Sequence, residues 1–152
     1  VVPEFLKISK NKNLFVPITD PNMTRFSISL QKGVDMVLWS IKKSKGGEIF
    51  VPKIPSYKIL DLAKSICPRN KIKIIGIRPG EKLHEELITK SDSELTVDLG
   101  NYYAILPNTE TYKNYLKNSK IKKIKKNFSY NSKENKKYLS VKELGNFLKN
   151  LK

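Results

Sequence analysis

A short string near the middle of the chain carries side chains well suited to hold a charged ligand. Arg78 stands directly before Pro79-Gly80, and Glu81 follows the turn that these two residues predict. A guanidinium before a rigid turn suits bidentate contact with a phosphate, and a carboxylate accepts hydrogen bonds from hydroxyl groups. Phosphate and hydroxyls together suggest a nucleotide. In the alternative interpretation, Arg78 only forms an exposed ion pair with a neighbour such as Glu81 or Glu85.

The string follows a β-branched run that predicts a buried strand. This run, Lys71 to Ile77, is too short to form a helical face. Upstream, Glu48 to Val51 predicts another strand, and Ser56 is a candidate N-cap for a helix that Pro68 ends. Strand, helix and strand in this order form the βαβ pattern. The pattern predicts that Arg78 lies at the carboxyl end of a parallel strand, where ligands gather in open sheets.

Two shorter strands are predicted nearer the start of the chain. Leu14 to Thr19 has the pattern of an edge strand, because Pro17 cannot donate a ladder hydrogen bond. Thr24 to Ile28 follows a turn and carries Arg25, which would otherwise be an ordinary exposed strand arginine. Pro3 marks the start of a first helix.

The longest amphipathic segment follows Ser29, a candidate N-cap, and extends to about Lys43. Aliphatic residues recur on one helical face at Leu30, Val34, Val37, Leu38 and Ile41. We predict that this stripe belongs to the core, and that Trp39, which lies off the stripe, packs at its margin.

The second half of the chain gives weaker signals. Thr96 to Leu99 and Tyr102 to Leu106 predict short strands, whereas Tyr112 to Lys137 shows little periodicity and is expected to wrap the surface or stay mobile. Ser140 and Glu143 fit a capping box for a terminal helix that docks on the body. Its apolar face consists of Val141, Leu144, Phe147, Leu148 and Leu151.

Composition narrows the functional class. With 152 residues and 39% hydrophobic content, the chain can form one core. No apolar run approaches the roughly 20 residues of a membrane span, and no secretion signal is present, so we expect a cytoplasmic protein with no membrane partner. Cys67 and His84 are the sole residues of their types, so we expect no metal site.

The net charge of +16 is concentrated in the tail, where Thr111 to Lys152 contains thirteen Lys and two Glu. Such a charge is typical of nucleic-acid binding. However, 27 of the 30 basic residues are Lys, and Asn and Ile are abundant too. These three amino acids share A/T-rich codons, so base composition explains the charge better than selection for polyanions does, and we expect no nucleic-acid partner.

Four strings in register then resemble a known family. They are Val1-Val2-Pro3, Ile18-Thr19-Asp20 with Met23-Thr24-Arg25-Phe26, Gly46 to Lys53, and Arg78 to Leu87. Together they are similar to the C-terminal part of the inverting UDP-N-acetylglucosamine 4,6-dehydratases, which are extended short-chain dehydrogenases. The tail from Tyr130 to Leu144 also resembles the terminal segment of this family. The resemblance implies an α/β fold: the C-terminal substrate-binding lobe of an extended Rossmann-type short-chain dehydrogenase, a small sheet with packed helices.

The resemblance also implies roles for individual residues. Arg25 and Arg78 would clamp the pyrophosphate of UDP-N-acetylglucosamine, and Glu81 would bind the ribose hydroxyls. The strand from Leu14 to Thr19 would line the uracil pocket. His84 would pack or cap at a helix start, and no catalytic residue is implied in this chain. The family further suggests a homo-oligomer.

The same family needs a Gly-rich dinucleotide turn and a Tyr-x-x-x-Lys pair for redox chemistry. Neither occurs here. We therefore expect a piece of a longer enzyme that lacks the N-terminal NADP-binding domain and is inactive alone. Residues 1–110 would form the sugar-nucleotide-binding lobe and residues 111–152 a basic extension. The alternatives are a UDP-sugar 4-epimerase of the same superfamily and a basic nucleic-acid-binding module.

Overall fold

The computed structural model describes residues 1–149, which form a mixed α/β structure. The helices are α1 (Val2–Ile8), α2 (Leu30–Lys43), α3 (Ile59–Ile66), α4 (Thr109–Leu116) and α5 (Val141–Lys149). The strands are β1 (Val16–Ile18), β2 (Thr24–Phe26), β3 (Ile49–Pro52), β4 (Ser56–Lys58), β5 (Ile72–Ile74), β6 (Glu86–Ile88), β7 (Thr96–Asp98), β8 (Tyr102–Ile105), β9 (Lys122–Lys123) and β10 (Tyr130–Asn131).

These elements belong to two compact units, each made of separate chain segments. Unit 1 comprises residues 1–27, 55–85 and the segment from Ser132 onward, and unit 2 comprises residues 28–54 and 86–131. The predicted division into a sugar-nucleotide-binding lobe, residues 1–110, and a basic extension, residues 111–152, stays a prediction.

Unit 1 contains the core into which the terminal helix packs. Leu144 of α5 is buried in the same cluster as Leu62 and Ala63 of α3. The predicted capping box is confirmed, because Glu143 Oε2 accepts a hydrogen bond from the Ser140 N–H over 2.8 Å. The predicted apolar residue at position 151 lies outside the described residues.

The predicted βαβ unit is wrong. β5 pairs in parallel with β1, whereas β3 pairs with β8 in unit 2. Ser56 does not cap α3 but begins β4, which is antiparallel to β2. The reason is that Ser56 is fully buried and already bonded: its N–H donates to the Lys137 carbonyl over 2.8 Å, and its Oγ accepts from the Asn135 amide over 2.9 Å.

The predicted strand before Arg78 is also shorter than expected. β5 ends at Ile74, and Gly76 has a φ of 84°, a conformation that does not continue a strand. Arg78 therefore lies in the loop beyond β5 rather than at the end of the strand.

Unit 2 is built on an antiparallel sheet with strand order β3-β8-β7-β9. The two strands predicted around Gly100 are confirmed as β7 and β8, and Gly100 has the positive φ, 91°, that the connecting turn needs. The Lys-rich segment contains more structure than its weak periodicity suggested, namely most of α4 together with β9 and β10.

The orientation of α2 contradicts the sequence-based expectation. Ser29 caps the helix as predicted, since its Oγ accepts from the Lys32 N–H. The aliphatic stripe, however, faces outward: Leu30 is 82% exposed and Ile41 72%. Instead Trp39 joins the helix to the sheet, stacking on Tyr102 with ring centroids 4.2 Å apart. Trp39 lies about 180° from Leu30 around a helix with 3.6 residues per turn, so packing through this ring turns the stripe away from the sheet.

Candidate functional site

The three predicted site residues lie around one cavity of unit 1. Arg25, Arg78 and Glu81 all line a cavity of about 240 Å³. β1 contributes Pro17 and Ile18 to its wall. The structure therefore brings together the residues that were singled out from distant parts of the sequence, and also the strand expected to line a base pocket. Their binding roles stay predictions.

The Arg25 guanidinium is held firmly by its own unit. Nη1 donates to the Thr24 carbonyl over 2.7 Å and to the Leu83 carbonyl over 3.3 Å, and Nε lies 3.7 Å from Glu85 Oε1. Glu85 is fixed in turn, because its Oε2 accepts from the Phe26 N–H over 2.7 Å. Within residues 1–149, Nη2 is the guanidinium nitrogen that makes no hydrogen bond or ion pair.

Arg78 differs from Arg25 in that its charge is uncompensated. Its side chain is exposed, and within the described residues the guanidinium makes no ion pair or hydrogen bond. Glu81 instead contacts the Arg78 backbone, whose N–H donates to Oε2 over 3.3 Å. The alternative interpretation, an ion pair between Arg78 and a neighbouring glutamate, is wrong within the described residues, because Glu81 contacts the main chain and Glu85 pairs with Arg25.

His84 does not pack or cap at a helix start, because no helix begins there. Its Nδ1 lies 2.8 Å from the buried hydroxyl of Thr24. Burial lowers the pKa of the imidazole, and the positive charges of Lys133 and Arg25 lower this pKa further, against a smaller opposing contribution from Asp20. The imidazole is therefore neutral at physiological pH.

Sequence reasoning missed Ser132. Its fully buried Oγ lies 2.7 Å from Thr24 Oγ1 and accepts from the Glu85 N–H over 2.9 Å. Thr24 precedes Arg25 in β2, and Glu85 is the ion-pair partner of Arg25. Ser132 of the tail therefore contacts both the residue before this arginine and the residue that pairs with it. The only signal in the sequence was the likeness of the tail to the terminal segment of the family.

Other site chemistries find no support in the part of the chain that the structure describes. Within residues 1–149, no cluster of three or more His, Cys, Asp or Glu side chains is arranged to hold a metal ion. No helix in this range is both long and apolar enough to cross a membrane.

Comparison with known proteins assigns the family. Residues 1–107 match the family described as polysaccharide biosynthesis protein. The chain belongs to this family. The resemblance drawn from the four sequence strings is thereby confirmed.

Two groups of relatives of this chain are informative. UDP-N-acetylglucosamine 4,6-dehydratase (inverting) from Campylobacter jejuni is 47% identical over 150 residues, which are 95% of this chain and 45% of the relative. UDP-glucose 4-epimerase from Rickettsia bellii is 44% identical over 110 residues, 69% of this chain and 32% of the relative. The chain thus spans less than half the length of these relatives.

A solved structure extends the likeness to the fold. The X-ray structure of Pen from Bacillus thuringiensis superimposes with a TM-score of 0.79 at 30% sequence identity, covering 99% of this chain and 45% of Pen. The predicted fold class is confirmed: the polysaccharide biosynthesis protein is an α/β lobe of the extended short-chain dehydrogenase type, with small sheets and packed helices.

Proposed function

We propose that this polysaccharide biosynthesis protein is the substrate-binding part of an inverting UDP-N-acetylglucosamine 4,6-dehydratase, a lyase that serves the synthesis of surface glycans. The observation that carries the proposal is the pair of arginines on one cavity, one fixed and one uncompensated. The identity to the Campylobacter dehydratases over 95% of the chain supports it. The proposal includes NADP as cofactor, a homo-oligomeric enzyme and a cytoplasmic location.

The two arginines suit a diphosphate because one guanidinium is held in place by protein contacts and the other has an uncompensated charge. Arg25 is preorganised by carbonyl oxygens and Glu85, so it can meet a phosphate without losing further side-chain entropy. Arg78 keeps its planar fork uncompensated, so an incoming phosphate can engage it bidentately. The first would orient the diphosphate and the second would supply most of the new charge pairing.

Glu81 suits the ribose. Within residues 1–149, only its Oε2 has a hydrogen-bond donor, the Arg78 N–H, and a carboxylate has about four acceptor positions. The remaining positions can accept two neighbouring hydroxyl groups. By anchoring the diphosphate and the ribose, the chain would hold the hexose in a fixed orientation for the reaction, which is a contribution through positioning.

The residues present do not fit a dinucleotide cofactor. Such a site needs a Gly-rich turn that leads from a strand into a helix N-terminus. Among the helices that the structure describes, α1 to α4 have Val1, Ser29, Lys58 and Asn108 at their N-caps, and none follows a Gly-rich turn. NADP would therefore be held by residues that this chain does not contain, and no redox step is assigned to its side chains.

A UDP-sugar 4-epimerase is the second candidate, favoured by the 44% identity to the Rickettsia enzymes. The dehydratase is preferred because its match extends over 150 residues rather than 110. An enzyme of full length would distinguish them by its product, since a dehydratase releases a 4-keto sugar and an epimerase does not.

Titration of UDP by calorimetry tests the clamp. Arg78→Ala should weaken UDP binding about tenfold or more, because one charged, bidentate contact is lost. Arg69→Ala is the matched control: Arg69 is exposed and lies outside the cavity, so UDP affinity should not change. Unchanged affinity in Arg78→Ala would contradict the assignment.

A further inference from the structure

Unit 1 contains a second and larger cavity, of about 880 Å³. It is lined by His84 and by residues of β2, α3 and the tail, among them Thr24, Asp61 and Lys133. Its volume lies in the range that binds small organic molecules. The cavity also includes two features that the proposed function leaves unused, the single histidine and one lysine of the tail, Lys133.

This cavity is separate from the one that Arg25 and Arg78 line. No residue is shared between the two linings. Thr24 and Arg25 are neighbours in β2, and successive side chains of a strand point to opposite faces. Thr24 accordingly lines the larger cavity and Arg25 the smaller one. A ligand in the larger cavity would therefore not compete directly with UDP.

A buried hydrogen-bonded chain stiffens the wall of the larger cavity. Ser132 Oγ lies 2.7 Å from Thr24 Oγ1, which lies 2.8 Å from His84 Nδ1. Thr24 is only 3% exposed and Ser132 is fully buried. We assign the tautomer in which Nδ1 accepts from Thr24, because Ser132 then donates to Thr24 Oγ1 over 2.7 Å, whereas in the reverse direction it would donate to the Thr24 carbonyl over a longer 3.2 Å. Nε2 then carries the proton and remains a donor.

The charged groups of the lining define the ligand. Lys58 and Lys133 supply two ammonium groups, and His84 adds a neutral N–H donor. Three donors with a local positive charge match the oxygens of a phosphate group. The carboxylate of Asp61 and the amide of Asn22 line the same cavity and suit hydroxyl groups. The combination favours a sugar that carries a phosphate.

From these contacts we infer that the larger cavity is a second binding site, which takes a phosphorylated sugar with its phosphate toward Lys58, Lys133 and His84. The inference does not rest on the proposed function, because it uses neither Arg78 nor Glu81. Failure of the UDP clamp would leave it standing.

The probe is N-acetylglucosamine 1-phosphate, titrated by calorimetry into the 152-residue protein. N-Acetylglucosamine and inorganic phosphate are titrated separately. We expect saturable binding of the probe, at least about tenfold tighter than that of N-acetylglucosamine or inorganic phosphate alone. The reason is that the groups that bind the phosphate and the groups that bind the hydroxyls then hold one molecule together. If no saturable binding occurs, the site is disproved. Inorganic phosphate binding as tightly as the probe would show an adventitious ion only, and would also overturn the inference.

Three variants locate the probe. Lys58→Ala/Lys133→Ala should weaken its binding about tenfold or more, whereas the control Lys125→Ala/Lys126→Ala, which removes two exposed lysines outside the cavity, should not. Arg78→Ala should leave the affinity unchanged. An equal loss in the lysine control, or a loss in Arg78→Ala, would contradict the inference.

His84→Asn separates ligand binding from structure. The shorter Asn side chain can still accept from Thr24 near the position of Nδ1, but it does not reach the position of Nε2. Probe binding should weaken while the melting temperature stays unchanged. A lower melting temperature with unchanged affinity would show a purely structural histidine and would contradict the assigned donor.

Discussion

The backbone N–H of Arg78 donates to Oε2 of Glu81 over 3.3 Å, so this carboxylate is paired with the main chain rather than with the guanidinium three residues before it. The Glu81 N–H closes the same turn by donating to the Arg78 carbonyl over 3.0 Å. The turn therefore presents a cation and an anion side by side without letting them neutralise each other. A nucleotide needs both, one for phosphate and one for hydroxyls.

Substitutions in this turn should weaken UDP binding to different degrees, according to how much of the contact geometry each one removes. Arg78→Lys keeps the charge but loses the planar fork, so it should weaken UDP binding less than Arg78→Ala but measurably. Glu81→Gln keeps an acceptor and should cost about 1 to 2 kcal/mol of binding free energy, the difference between charged and neutral hydrogen bonds. Calorimetry with UDP measures all three. Equal affinities for Arg78→Lys and the unchanged protein would refute the bidentate contact.

Ser132→Ala tests whether the tail supports the arginine site. The change leaves the Glu85 N–H and the Thr24 hydroxyl short of a buried partner, and should lower the free energy of unfolding by about 1 to 3 kcal/mol. UDP affinity should fall as well, because Glu85 loses part of its anchor. Ser65→Ala is the control: its Oγ is buried and has no hydrogen-bond partner in the part of the chain that the structure describes, so its removal should be neutral or stabilising. Urea unfolding and UDP titration give the two readouts.

The hydrogen bond from Tyr115 to Glu48 predicts that the free energy of unfolding depends on pH. Desolvation alone would raise the pKa of Glu48, but hydrogen bonds from Tyr115 and from nearby backbone N–H groups outweigh it and lower this pKa from 4.5 to about 2. Because the folded pKa lies below the unfolded one, the stabilisation is complete above pH 4.5 and is lost as the pH falls toward 2.

Tyr115→Phe should therefore lower the free energy of unfolding at neutral pH by about 1.5 kcal/mol, the low end for a hydrogen bond to a charged group. The difference from the unchanged protein should shrink at about pH 3, as Glu48 of the variant becomes protonated. Urea unfolding at both pH values measures it. Tyr112→Phe, in the same helix, is the control and should show no such pH dependence.

The outward stripe of α2 predicts that apolar residues there are replaceable in this chain. Ile41→Lys should change the free energy of unfolding by no more than about 0.5 kcal/mol, because the side chain is already 72% exposed. It should also raise solubility, since a contiguous exposed apolar face promotes association. Trp39→Ala should instead destabilise unit 2 by more than about 1 kcal/mol through the lost ring contacts. A large effect of Ile41→Lys on unfolding would contradict the outward orientation.

Several local signals in the sequence were reliable, although the N-cap predicted at Ser56 was wrong, whereas long-range pairing was not predictable. Ser29, the Ser140–Glu143 box and the turn at Gly80 were predictable because each depends on residues within four positions. The parallel partner of β5 was not, because periodicity shows that a strand exists but not which strand it joins. The orientation of the α2 stripe was wrongly predicted for a similar reason. Amphipathicity shows which face of a helix should be buried, but it does not show whether the residues that cover this face are among residues 1–149.

The same contrast between local signals and long-range contacts applies to the candidate site. Arg78 and Glu81 were recognisable from their own turn, and Arg25 from the resemblance of its string. Ser132 was not, since its partner Thr24 is 108 residues away and a serine in a Lys-rich tail has no distinguishing pattern. Only the fold shows that the tail reaches the arginine site.

The segmented construction of unit 1 has a consequence for the order of folding during synthesis. Leu144 belongs to the same buried cluster as Ile18 and Leu62, so this core cannot close until Leu144 has left the ribosome. Unit 2 ends at Asn131 and has all its residues available earlier. Within unit 1, residues 1–27 are therefore synthesised long before the partners from Ser132 onward. Contacts so distant in sequence favour slow closure and leave the early segment dependent on protection from aggregation.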